Sequence, residues 1–434
     1  MKLTAALLRL NKRRMFIRKW FIHSKQKIID PKIPELLIEN YGIKVTPAHD
    51  VVKDNTPLPP CILSSGPEIE FDETHPNWHD RVCYTYHEKL SLLEGLDQVL
   101  ILLKTAKNEG LPSKYSPVMD QVSKEIDENK QDVDNLVKRY IMQGKIWDAW
   151  QQKLPHEIPH HPGYKRRHYG IPKSRQNNIM WEGMLRLSSL FASKYGKALN
   201  QTMLNNAYAE TFFEKEDSLI SSKITSNFML CSQAPLTSIT SKDEIQETVN
   251  QELPDIFPIT PLIDLKPQNI YEVNNYFSFS PKVIHPNVHT IVCTLDFDPE
   301  ASHLSQSQID GNGVFNCFTC ASIRAKQLYG DDVKGLLPEP IIVQGIQSTN
   351  DHVSFIVYQL NTMDINGTDG IKNSVWIDSG NVLFSGVDKY GPDQAIPLWH
   401  TLEQMSPKVF CLVYRNYSAL VNKTTEETSN RCQG

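Results

Sequence analysis

The sequence predicts an α+β fold: a helical N-terminal half, a mixed and mainly antiparallel sheet in the C-terminal half, and an extended N-terminal arm. Three observations carry that expectation. Apolar residues recur at steps of three and four between Leu93 and Phe191. Further along they gather in short runs rich in Val, Ile, Phe and Tyr, the composition strands require. Helices interrupt those runs irregularly rather than in repeating βαβ units.

The elements follow in order. Leu93, Leu96, Leu100 and Leu103 mark a helix that Gly110 and Pro112 stop. Ser116 and Pro117 open a second, with Met119, Val122 and Ile126 on one face. Val133, Leu136, Val137, Tyr140 and Ile141 extend the helical run to Gly144, and Met180, Met184, Leu187 and Phe191 mark a further helix. Ser241 with Glu244 forms a capping box ahead of Ile245 and Val249. Strands are expected at Val288–Phe297, Ile341–Gln347, His352–Leu360 and Val409–Tyr414, with a hairpin across residues 348–351. A last helix spans 314–329 and ends at Gly330.

The 434 residues leave room for two or three domains. We divide them into a presequence (1–29), a proline-rich extended arm (30–82), a helical region (83–230), an α+β region (231–415) and a polar tail (416–434). Apolar runs such as Val99–Leu103 are far short of the roughly 18 residues of a membrane span, so none is expected.

Charge is distributed unevenly. Residues 1–29 hold nine Lys or Arg and no acid, which leaves the remainder with 36 basic against 50 acidic residues. Placed on a helix, Leu3, Leu7, Leu10, Ile17 and Phe21 fall within an arc of about 80°. An acid-free, Arg-rich amphipathic start is the pattern of mitochondrial import. Eight scattered cysteines suit a reducing compartment such as the matrix.

Catalytic motifs are weak. His156, Glu157 and His160 spell H-E-x-x-H, but Pro159 inside the motif opposes the helix on which zinc ligation depends. Cys317 and Cys320 form a lone CxxC in an apolar helical stretch, where two buried small hydrophobes are the simpler reading. Gly311-Asn-Gly313 lacks the third glycine of a dinucleotide loop and reads as a helix entry turn. Asp296 and Asp298, or Cys83 with His87, have no geometric argument behind them. The expectation is therefore no enzyme, no cofactor and no metal, with a matrix enzyme using a Cys or His site as the alternative.

The most unusual stretch of the body is a basic loop, 158–181. It contains Lys165, Arg166, Arg167, Lys173 and Arg175, no acid, and the interleaved flat rings of Tyr164, His168 and Tyr169. Cations displace counterions from phosphates, and flat side chains stack on exposed bases. Tyr164, Lys165, Arg166, Arg167, Tyr169, Lys173 and Arg175 are the RNA-contact candidates, with a solvated loop or an acidic protein neighbour as the alternatives.

Four stretches are similar to a known family: CYTYHEKLSLLEGLDQVLILLKTAKNEGLP (Cys83 to Pro112), FPITPLIDLKPQNIYEVNN (Phe257 to Asn275), AKQLYGDDVKGLLPEPIIVQGI (Ala325 to Ile346) and FIVYQLNTMDINGTDGIKNSVWIDSGNVLF (Phe355 to Phe384). Together they cover about a quarter of the chain and resemble the animal mitochondrial ribosomal proteins of the "large thirty-seven" family, whose sister is "small thirty" or programmed-cell-death nine. The resemblance implies import into the mitochondrial matrix and a structural place in the large mitoribosomal subunit. It also implies contacts with large-subunit rRNA and neighbouring mitoribosomal proteins, and a heterodimer with the sister member. It brings no catalytic residues.

Overall fold

A computed structural model describes residues 81–154, 169–192, 201–271, 273–279, 285–295, 304–349 and 352–383. Several expectations lie outside these residues: the presequence, most of the arm, His156 to His160, Tyr164 to Arg167, Asp296, Asp298, the strand at 409–414 and the tail. The strands are β1 (Val82–His87), β2 (Thr105–Glu109), β3 (Gln152–Lys153), β4 (Tyr169–Gly170), β5 (Gln201–Lys215) and β6 (Ser218–Ser232), then β7 (Lys266–Asn269), β8 (Tyr276–Phe277), β9 (Asn287–Thr294), β10 (Leu336–Ser348), β11 (His352–Thr362) and β12 (Asn373–Val382). The helices are α1 (Leu96–Leu102), α2 (Ser116–Glu128), α3 (Lys130–Met142), α4 (Lys173–Ala192), α5 (Lys242–Glu247) and α6 (Gln306–Tyr329).

Apart from β3 and β4, which pair with each other, the described strands form one mixed sheet. It runs β2-β12-β11-β10-β9-β6, with β1 and β7 beyond and with β5 on the far edge of β6. Six of its ladders are antiparallel and three parallel. β6 organises the sheet: one edge pairs with β5 throughout, while the other serves β1 along 219–223 and β9 along 228–232. The expected hairpin is present as β10 and β11, with Ile346 opposite Phe355.

The sheet is covered on both faces, so its strands carry apolar residues at both parities. Along β11, Ile356, Tyr358 and Leu360 face a core shared with α1 and α6, whereas Phe355 and Val357 face a second core shared with α2, α3 and α4.

The division into a helical half and a sheet half holds only in part. Helices α1 to α4 stand in the first half, but so do β1, β2, β5 and most of β6. The β5–β6 ribbon was missed because buried Ser and Thr interrupt its apolar pattern on the side of α6 too, where Ser222 meets Thr319 and Thr211 meets Ser322. The turn that joins it is explicit: Glu216 and Asp217 both take positive φ, 46° and 61°, the pattern of a type I′ hairpin.

Two helix boundaries also differ. The helix expected to run to Gly110 ends at Leu102, because Lys104 turns the chain at φ 47° and Thr105–Glu109 pairs in parallel with β12. The helix expected from residue 314 begins at Gln306, on a capping box made by Ser305 and Gln308. Gly311 and Gly313 are thus inside α6 rather than at its entry. Close packing is the reason: a Cβ on Gly313 would stand 2.2 Å from Ile356 Cδ1, and one on Gly311 3.0 Å from the Gly95 carbonyl. Asn312 between them is satisfied, donating to the Leu90 carbonyl at 3.1 Å and accepting from Tyr86 Oη at 3.2 Å.

Candidate nucleic-acid interface

The basic stretch divides between a segment outside the described residues, 155–168, and two anchors that hold its ends. β3 and β4 form the first anchor, with Lys153 opposite Tyr169. Gly170 fits there because a Cβ would meet Leu154 Cδ1 at 2.7 Å. Lys165, Arg166 and Arg167 therefore precede this ladder by two to four residues.

The second anchor is the start of α4. Residues 173–181, expected to be irregular, are helical: Pro172 contributes the first carbonyl, which accepts from Gln176 N at 2.9 Å. Met180, Trp181, Met184, Leu185 and Leu187 bury one face of the helix against α2 and α3. Lys173 and Arg175 sit on its first turn, ahead of that buried face.

Between α3 and β3 the chain makes a single wide turn of π type, Gln143–Trp147. Gly144 presses this turn onto α4, since a Cβ would lie 2.6 Å from the Gln176 carbonyl oxygen. The turn delivers Trp147 and Asp148 beside the start of α4. Arg175 donates through Nε and Nη2 to the two carboxylate oxygens of Asp148, the second bond 3.0 Å long. That pairing holds the Asp148 carboxyl below the usual carboxylate range and raises the guanidinium. The same guanidinium lies over the ring of Trp150, 5.6 Å from its centroid.

Trp147 is 51% exposed, Trp150 60% and Tyr169 69%, large fractions for residues that usually hide most of their surface. Between Asn135 and Trp181 the sequence holds nine Lys or Arg against two acids. One of those acids, Asp148, is neutralised by Arg175. Cationic groups and open aromatic rings can together hold a polyanion that carries flat bases. The polar cavity beside β2 and β12 is unsuited to that role, because Glu109, Asp310 and Asp378 line it.

Of the seven RNA-contact candidates, Tyr169, Lys173 and Arg175 fall among the described residues. The structure brings Lys173 and Arg175 onto one helical turn and sets Tyr169 on the ladder before it. Arg175 is already engaged by Asp148, which the sequence did not reveal. Trp147, Trp150 and Lys153 were missed because the reading began at residue 158. The low acid content that extends back to Asn135 was the signal available.

The cysteine candidates lie elsewhere. Cys317 and Cys320 are fully buried on α6, and burial pushes both thiols well above their ordinary value. Cys83 is buried with Phe212 and Ile270, its thiol pushed up to about 11, and His87 on the same strand is lowered by burial. Among the described residues no group of three or more His, Cys, Asp or Glu side chains could hold a metal ion. No described helix is long and apolar enough to cross a membrane.

No protein-family profile matches the chain. It is similar to the large ribosomal subunit protein mL37 of Bos taurus, 30% identical over 312 residues, which is 72% of this chain and 69% of that protein. The Rattus norvegicus protein of the same name is 28% identical over 309 residues, 71% of this chain and 68% of the relative. That of Gallus gallus is 27% identical over 321 residues, 74% and 69% of the two chains.

Proposed function

The chain belongs to the mL37 family of large ribosomal subunit proteins, and from that premise we propose that it is a structural constituent of the mitochondrial ribosome. It supports mitochondrial translation from the large subunit, through contacts with rRNA and with neighbouring ribosomal proteins. The extent of the kinship carries this reading, because likeness through some seven-tenths of both chains belongs to a shared body rather than one transplanted module.

Other features support the finer parts of the proposal. The acid-free, amphipathic start at residues 1–29 favours import into the matrix. The deep burial of Cys83, Cys317 and Cys320 favours a non-catalytic role, since thiols held protonated in a core are poor nucleophiles. The body beyond residue 29 has an excess of about 14 acidic residues, which favours a protein held largely by other proteins, with rRNA met at one restricted place. We assign that contact to the basic stretch 158–181, with Tyr164, Lys165, Arg166, Arg167, Tyr169, Lys173 and Arg175 as its candidate residues. One protein neighbour is the sister family member, as the resemblance implies, in a heterodimer.

Sucrose-gradient sedimentation of a mitochondrial lysate, with and without subunit dissociation at low magnesium, tests the central claim. Comigration with the large subunit under both conditions is expected; a light, free-running peak would overturn it. Combining Lys165→Glu, Arg166→Glu and Arg167→Glu is expected to release the protein from the subunit at lower salt. Unchanged retention across the salt series would remove the loop from the RNA interface.

A further inference from the structure

A nucleic-acid contact made by charge alone needs no open indole rings, yet this end of the molecule displays two. Trp147 leaves the wide turn after α3 more than half exposed, and Trp150, three residues on, is more exposed still. By contrast Trp181 is fully buried, as are Tyr86, Phe315 and Phe318. Leaving two indoles in water forgoes the burial of a large apolar surface beside a run of cations.

The position of Trp150 is also fixed. Asp148 and Arg175 form a two-point ion pair, and the guanidinium that results lies over the Trp150 ring. A fixed ring has already lost the rotational freedom that stacking would otherwise remove. Arg175, with Nε and Nη2 committed to Asp148, is poorly placed to give its full fork to a phosphate. Lys153 on the β3–β4 ladder and Lys173 on the first turn of α4 remain to hold a backbone.

We propose that Trp147 and Trp150 form a stacking platform for unpaired RNA bases, with Arg175 as the positioning residue that fixes the Trp150 ring. This rests on the RNA-contact reading of the same end and names what that contact recognises: single-stranded, unstacked RNA rather than a duplex. In a duplex both faces of each base are occupied by its neighbours, so it offers phosphates, 2′-hydroxyls and groove edges but no face for a ring to stack on.

The test uses the purified full chain and three fluorescein-labelled probes: a twelve-nucleotide oligouridylate, the same strand with central abasic sites, and its duplex with oligoadenylate. Affinity is read by anisotropy across a salt series. The wild type is expected to favour the single strand over both other probes. Trp147→Ala and Trp150→Ala are each expected to weaken single-strand binding about tenfold with an unchanged salt slope. Trp150→Phe should restore most of the loss, and Arg175→Lys, which keeps the charge but loses the fork, should fall between.

Equal affinity for all three probes, absence of binding, or Trp variants that bind like the wild type would each overturn the platform. Those failures are separable from failure of the ribosomal role. A protein that still comigrates with the large subunit but is indifferent to its tryptophans loses the platform alone. One that sediments free of the subunit loses the ribosomal reading itself.

Discussion

Inside the core beneath α6, Phe315 stacks on Tyr86 with ring centroids 3.8 Å apart, and Phe318 meets Phe213 edge-on at 5.1 Å. Those rings are sealed from water. At the end of the molecule built by the wide turn, β3, β4 and the start of α4, Trp147, Trp150 and Tyr169 are each more than half exposed. Polar groups differ in the same way. Around α6, Asn312, Thr319 and Ser322 are buried and satisfied by Tyr86, Ser222 and Thr211. At the exposed end, charges pair locally (Arg175 with Asp148) or stand open. The contrast teaches that residue type is ambiguous until its surroundings are known: an aromatic ring stabilises the first region and equips the second to be covered by something else.

If this contrast is right, the two regions should answer differently to the same kind of substitution. The largest effect is expected at Phe318→Ala, which removes a ring packed among Phe213, Phe315 and Tyr358. A loss of about 3–5 kcal/mol in denaturant unfolding is expected; a loss below about 1 kcal/mol would mean that the α6 core is loosely packed.

Acid should strike the interior next. His289 is fully buried on β9, and burial lowers its pKa from 6.5 to about 3. Thr290 Oγ1 donates to Gln344 Oε1 at 3.0 Å, so it accepts from His289 Nδ1–H at 2.8 Å, and Nε2 stands unprotonated without a hydrogen-bond partner. The unfolded chain takes up this proton first. The stability tied to the neutral ring is therefore complete above pH 6.5 and is lost as pH falls toward 3. It should amount to about 5 kcal/mol at about 1.4 kcal/mol per unit. His289→Gln, which cannot titrate, should flatten that part of the pH–stability curve; an unaltered slope would assign the acid lability to other groups.

A capping change gives an intermediate reference. Ser241 Oγ accepts from Glu244 N while the Glu244 carboxylate accepts from Ser241 N. Ser241→Ala should cost about 1 kcal/mol, and thermal unfolding would register it as a fall of a few degrees or less.

The smallest stability effects are expected at the exposed end. Trp147→Ala and Trp150→Ala should change unfolding free energy by no more than about 0.5 kcal/mol. Losses of 2 kcal/mol or more would place the two rings on the structural side of the comparison and would sharpen it in the opposite sense.

Much of the fold was legible from local pattern. The β10–β11 hairpin, the capping box at Ser241, the faces of α2 and α3, the later part of α4 and the end of α6 at Gly330 are each written in a few neighbouring residues. The β5–β6 ribbon was not, because its Asn- and Ser-rich sequence resembles loop until partners such as Thr319 and Ser322 on α6 satisfy the buried hydroxyls. Gly311 and Gly313 misled for a related reason. Glycine lowers helix propensity locally, whereas the close approach of α6 to Ile356 and Gly95 demands it. At the candidate interface, Lys173 and Arg175 were legible as charge, but the ion pair with Asp148 joins residues 27 apart in sequence.

By itself the sequence determined the charge asymmetry of its acid-free first 29 residues, the alternation of helical and strand periods, and the family likeness on which the function rests. These depend on composition and on neighbours within a turn or two of chain. Tertiary structure alone decided which face of each strand meets which helical layer. It also decided that His289 is held neutral, and that two tryptophans stand open near an arginine already paired with Asp148. Each of those depends on desolvation or on contacts between distant segments. The free energy of a side chain follows from what surrounds it in space, and linear order does not record that.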